Sequence, residues 1–186
     1  MIREREMTEQ MTGETFEFTF VLSEAPTDEQ LDSLFEAGGD DATPELNLKT
    51  NTGSLHFARE APTLAEALVS ALHTIEAAGL HAVAVESNDL VTLRDIAART
   101  GRTYEGVRLL ATGQRGPGAF PPPMSSRGAA LYSWVQVADW FDAVFGPDAP
   151  ALPSEFDRTI ATADHLIRAR ALAGGESGVL AGLVGT

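Results

Sequence analysis

Cysteine is absent from the 186 residues, which excludes disulfides and thiolate metal sites and fits a cytoplasmic protein. Histidine is scarce. His56, His73, His81 and His165 are the four, and none has a partner at metal-ligating spacing or stands in a catalytic motif. No nucleotide-binding glycine fingerprint follows a strand, no G-x-S-x-G elbow occurs, and the GQRGPG stretch from Gly113 lacks the lysine and the helix of a P-loop. The chain is therefore read as a non-enzyme with no cofactor and no metal, leaving open only carboxylates that the fold assembles in space. The first residues, MIREREMTEQM, lack the apolar core of a signal peptide, and no run approaches membrane-spanning length. Residues 1–13 are expected to be a flexible leader. There is no repeat at solenoid period and no long low-complexity run.

Positive charge is also in short supply, and its placement is uneven. The formal net charge is −14, which at first excludes a polyanionic partner. Yet residues 92–127 carry six basic side chains against two acidic, whereas residues 1–91 carry four against 18. The basic island coincides with the most patterned stretch of the chain, TLRDIAARTGRTYEGVRLL from Thr92 to Leu110. An acidic remainder of this size repels DNA at long range, so weak non-specific binding is expected.

Two short helices crossing steeply need a small residue at the crossing and a glycine in the turn. Ala97 and Gly101 meet those needs. Thr92 with Asp95 has capping spacing for the first helix, and Thr103 caps the second. Leu93, Ile96, Val107 and Leu110 form the inner faces, leaving Arg94, Arg99, Arg102, Tyr104, Glu105 and Arg108 outside. Gly106 costs the second helix about 1 kcal/mol relative to alanine. The bland alternative is an ordinary helical hairpin in a core.

Gln114 to Trp134 reads as a hairpin. Gly116, Pro117, Gly118 and Pro121 to Pro123 exclude a helix, Ala119 and Phe120 lead in, and Ser125 to Gly128 form the tip. Leu131, Tyr132 and Trp134 return. Ser133 with Gln136 caps a further helix in which Val137, Trp140 or Phe141, and Val144 repeat at helical spacing and pack under the hairpin.

The stretch LRDIAARTGRTYEGVRLLATGQRGPGAFPPPMSSRGAALYSWVQVADWF resembles the winged helix-turn-helix of the MerR and phage-excisionase class, and also a group of actinobacterial helix-turn-helix proteins. The resemblance covers about a third of the chain and departs from the usual pattern at the triple proline. It implies that the second helix enters the major groove of double-stranded DNA through Thr103, Tyr104, Glu105 and Arg108. It further implies backbone or minor-groove contacts from Arg115 and Arg127 on the wing. Arg108 suits bidentate contact with guanine, Arg102 suits a phosphate, and Arg94 and Arg99 serve the other flank.

The preceding residues, 14–90, form a separate unit. Phe16, Phe18, Phe20 and Leu22 alternate as a strand; Thr27 with Gln30 caps a helix bearing Leu31, Leu34 and Phe35, which Gly38 and Gly39 end. Leu46 and Leu48 make a second strand, and a turn at Asn51 to Gly53 leads to Leu55 and Phe57 in a third. Thr63 with Glu66 caps a helix lined by Leu64, Leu68, Ala71, Leu72 and Ile75, and Val83 and Val85 give a fourth strand. The order predicts a ferredoxin-like split βαβ domain. Its acidic Glu24, Asp28, Glu29, Asp32, Glu36, Asp40, Asp41 and Glu45 read as a solvated face or as a dock for a basic partner.

The expected organisation is thus α+β: a ferredoxin-like domain over 14–90, a winged helix-turn-helix over 91–146, then linker, C-terminal helix and tail over 147–186. That helix runs from Ser154 to about Ala173 with Phe156, Ile160, Ala163 and Ile167 as its apolar stripe. Three functions compete. The first is a sequence-specific transcriptional regulator, acting as a homodimer because one module covers few base pairs, with an acidic sensing or dimerisation domain. The second is an antitoxin-like module that masks a basic protein partner and autoregulates. The third is a ligand-binding or enzymatic ferredoxin-like domain.

Overall fold

The computed structural model describes residues 13–125 and 128–174; Arg127 and most of the residue 1–13 segment lie outside the described residues. The fold is α+β, and its contacts divide the chain into two compact units, Met1–Ala84 with Arg170–Thr186, and Val85–Ala169.

In the first unit the elements run β1 (Glu14–Leu22), α1 (Asp28–Glu36), β2 (Ala42–Asn47), β3 (Thr52–Ala61), α2 (Leu64–Ala77) and β4 (Ala82–Val85), whose last residue, Val85, already belongs to the second unit. They form a four-stranded sheet in the order β2-β3-β1-β4, with β3 antiparallel to both β1 and β2. Alternation along β1 and β3 sends Phe18, Phe20, Leu55 and Phe57 inward. Phe20 meets Phe18 and Phe57 edge-on, with ring centroids 5.7 and 6.0 Å away. Ala67, Ala71 and Ile75 of α2 are buried with them.

One inward position of β3 is an arginine. Arg59 is buried because its donors are all directed to acceptors: Nε and Nη2 donate to the two oxygens of Asp41 at 2.7 Å, Nη2 also to the Gly38 carbonyl, and Nη1 to Thr74. Asp41 is thereby withdrawn from the acidic face; it holds the turn between α1 and β2.

Two local details differ from the sequence pattern. Phe35 of α1 is 67% exposed, the helix burying Leu34 instead. Leu48 belongs to a turn and not to a strand, because the Asn47 side chain accepts from the Lys49 and Thr50 N–H groups and bends the chain directly after β2.

The second unit contains β5 (Leu90–Val91), α3 (Leu93–Thr100), α4 (Tyr104–Ala111), β6 (Tyr132–Ser133) and α5 (Trp134–Phe145), with most of α6 (Glu155–Ala173). β5 and β6 pair antiparallel, Leu90 opposite Ser133 and Val91 opposite Tyr132. Val91, Ile96, Ala97, Val107, Leu110, Tyr132, Val137 and Phe141 make one core.

A buried acid ties this unit together. Asp89, 5% exposed, accepts from the Val135 N–H at 2.8 Å, the Ser133 hydroxyl at 3.1 Å and His165 Nε2 at 3.0 Å. A carboxylate only accepts, so Nε2 is the protonated ring nitrogen. On α6 the apolar stripe includes a second buried acid, Asp164, which accepts from the Val85 N–H at 3.1 Å and from Arg168. No described helix is long and apolar enough to cross a membrane.

Candidate nucleic-acid interface

Thr92 starts α3 with a reciprocal cap. Its backbone N–H and hydroxyl donate to Asp95 Oδ2 at 2.8 and 2.7 Å, and the Asp95 N–H donates back to Thr92 Oγ1. Those bonds from Thr92 hold the Asp95 carboxyl below its ordinary value. Gly101 ends α3 with φ +64°, the left-handed conformation that a side chain disfavours. Arg102 follows, and Thr103 caps α4 by accepting from the Gly106 N–H. Ala97 is buried in this helix pair with Ile96, Val107 and Leu110, so the inner faces of α3 and α4 are closed.

What remains outside includes cations, one tyrosine and the acids Asp95 and Glu105. Tyr104, 46% exposed, opens α4, and the Arg94 guanidinium lies 5.5 Å from its ring centroid. Arg108, one turn further on, is held by Glu105 through two bonds, Nε to Oε2 at 2.8 Å and Nη2 to Oε1 at 2.7 Å. This pair lowers the Glu105 carboxyl and raises the Arg108 guanidinium, in both cases chiefly through the hydrogen bonds. Arg99 is exposed, but its guanidinium stacks on Trp134 at 4.9 Å and donates to the Asn88 carbonyl.

Arg102 is half-buried and not simply outward. Its guanidinium lies 4.0 Å from the centroid of Phe145 and 5.4 Å from that of Phe141. Arg115 is exposed just beyond α4. Thr103, Tyr104, Glu105 and Arg108 therefore share the first turns of α4, Arg94 adjoins Tyr104, and Arg99 is engaged with Trp134. Arg127 has no described position.

The segment from Gly113 to Leu131 departs from a regular hairpin. Its only described ladder is the bridge between Ser125 and Leu131, with the Leu131 N–H donating to the Ser125 carbonyl at 3.0 Å. Pro121 to Pro123 have no N–H to donate, which rules out a longer ladder there. Side chains anchor the segment instead: Phe120 packs edge-on against Trp140 at 4.9 Å, and Trp140 Nε1–H donates to the Gly118 carbonyl at 3.0 Å. Tyr132 and Ser133 pair with β5, and Trp134 is the first residue of α5, not a strand residue. Ser133 caps α5, and Asp89 adds a second acceptor for its first N–H groups.

Sequence patterning missed Asp89 and Asp164. For Asp164 a signal existed, since it falls four residues after Ile160 and three before Ile167 on an otherwise apolar stripe. Asp89 has no local signal, because its partners Ser133, Val135 and His165 are distant in the chain.

Compared with protein families, curated proteins and solved structures, the chain matches none.

Proposed function

We propose that this protein is a sequence-specific DNA-binding transcriptional regulator of the winged helix-turn-helix type, acting in the cytoplasm as a homodimer. The observation that carries the reading is the coincidence of the basic island with the α3–α4 pair, whose inner faces are closed and whose outer face presents Tyr104 and Arg108. In this reading α4 enters the major groove, Arg108 exchanges Glu105 for a guanine edge, and Tyr104 meets a phosphate or a thymine methyl. Arg94, Arg99, Arg102 and Arg115 supply backbone contacts on either flank, with Arg127 on the wing. The first unit, whose element and strand order agree with a ferredoxin-like domain, supplies sensing or dimerisation.

The test is retention of sheared genomic DNA by the purified protein, sequenced, with an Arg102, Arg108, Arg127 triple alanine variant beside it. A palindromic motif enriched by the native chain and lost in the variant supports the regulator; no enrichment overturns it. Arg108→Ala should cost about 1–3 kcal/mol and relax preference at one base, whereas Arg127→Ala should weaken all sites alike.

A second reading is favoured by the first unit's surface. Glu24, Asp28, Glu29, Asp32, Glu36, Asp40 and Glu45 are all exposed, and none forms an ion pair among the described residues. Such a face suits a basic protein partner, as in an antitoxin-like module that binds DNA through its other unit.

A further inference from the structure

Nine arginines lie among the described residues, and their hydrogen bonds divide them sharply. Arg59, Arg99, Arg108, Arg158, Arg168 and Arg170 each donate to a carboxylate or a carbonyl. Arg94, Arg102 and Arg115 have no such acceptor among the described residues. Arg94 is over Tyr104. The other two line one cleft of about 260 Å³, together with Leu110, Phe145, Gly106 and Gly116. In a chain of net charge −14, two arginines without an acidic partner among the described residues, lining the same cavity, call for an anion from outside.

We propose that this cleft binds a small organic oxyanion, best a phosphate monoester carried on a flat apolar body. Arg102 is held over the Phe145 ring, 4.0 Å from its centroid, and its N–H groups have no described carboxylate or carbonyl acceptor. Arg115 brings a second fork, and two forks match the several acceptor oxygens of a phosphate better than the pair of a carboxylate. Leu110 and Phe145 supply apolar wall for a ring. Gly116 has φ +82°, and a Cβ there would come within 2.8 Å of Leu110 Cδ2, so the wall it shares with Leu110 accepts no side chain without a shift. Pockets for drug-sized ligands begin at about 300 Å³, so a cleft of about 260 Å³ admits one ring with its anionic group and little more. A DNA backbone phosphate shares the oxyanion chemistry, so the ligand and the backbone contacts proposed above for Arg102 and Arg115 would compete for the same donors; only the small ligand also uses the apolar wall.

Calorimetric titration of the full-length protein with phenyl phosphate, inorganic phosphate and neutral benzyl alcohol tests the site, using Arg115→Gln and Arg102→Gln variants. Phenyl phosphate should bind at one site in the submillimolar range, inorganic phosphate about tenfold more weakly, and benzyl alcohol not at all, with each variant weakening phenyl phosphate about tenfold. Arg115 makes no described side-chain hydrogen bond or ion pair, so Arg115→Gln keeps the test valid should Arg102→Gln disturb packing. Equal binding by native and variant proteins, or no binding of phenyl phosphate, overturns the proposal. If the variants lower duplex retention while phenyl phosphate fails to bind the native chain, the arginine pair serves backbone phosphate and the small-ligand site falls. The titration uses no DNA, so it stands or fails separately from the regulator.

Discussion

Asp89 and His165 are 76 positions apart and meet at 3.0 Å, the imidazole of α6 donating to a carboxylate that also receives the Val135 N–H in the first turn of α5. Removing the carboxylate leaves the Val135 N–H and the Ser133 hydroxyl without their acceptor in a buried setting. Asp89→Ala should therefore destabilise the protein by about 2–3 kcal/mol, at the upper end of the cost of an orphaned buried group. His165→Ala, removing a partly exposed ring, should cost less. Urea unfolding followed by circular dichroism measures both; equal effects would mean the cap on α5 contributes nothing.

Arg59 and Asp41 form an ion pair whose side chains are 11% and 23% exposed. Arg59→Met should cost about 3 kcal/mol, because it strands the Asp41 carboxylate and the Gly38 carbonyl. The Arg59→Met, Asp41→Leu double variant should recover a large part, since replacing both partners removes the stranded charge. A double-mutant cycle reads the coupling directly, and simple additivity would contradict the ion pair.

Glu105 competes with any DNA ligand for Arg108 through its two hydrogen bonds. Glu105→Gln removes a negative charge and loosens that hold, so duplex of arbitrary sequence should bind several-fold more tightly at about 50 mM salt, with the gain shrinking at about 200 mM. Fluorescence anisotropy across a salt series checks it. Unchanged binding would place Arg108 away from the DNA, and weaker binding would make Glu105 itself a DNA contact.

Acid should remove the pair between Asp139 on α5 and Arg158 on α6. The Arg158 hydrogen bonds hold the Asp139 carboxyl below its ordinary value, with burial opposing. A carboxyl lowered on folding stabilises above its unfolded value, about 3.9, and that contribution fades as pH falls through the lower folded value. Asp139→Asn should cost at most about 1 kcal/mol near neutral pH, because the pair is solvent-screened. Denaturation midpoints of variant and native protein should converge as pH falls through that lowered folded value. Asp95, lowered chiefly by Thr92, adds acid sensitivity of the same sign.

Much of the local structure was legible because it rests on short-range chemistry. The caps at Thr27, Thr63, Thr92, Thr103 and Ser133 each need one hydroxyl and an N–H three residues on, and all five are formed. The alternation of Phe18, Phe20 and Leu22 depends only on the pleat. What stayed hidden depends on partners far along the chain. Arg59 faces inward only because Asp41, Gly38 and Thr74 receive it, and Tyr132 pairs with Val91 while its own hairpin, lacking N–H groups at three prolines, keeps only the Ser125–Leu131 bridge. The outward set Arg94, Tyr104, Glu105 and Arg108 was visible from helical spacing; the placement of Arg102 over Phe145 was not, since it joins the turn between α3 and α4 to the end of α5.

Trp134, Trp140, Tyr104 and Tyr132 are the only tryptophans and tyrosines of the chain, and all four fall within Val85–Ala169. Near-ultraviolet absorption and emission therefore originate in one unit, while the other, with phenylalanine as its sole aromatic, is optically almost silent. Trp134, lying under the guanidinium of Arg99, makes the native chain its own unlabelled reporter for events at the helix pair.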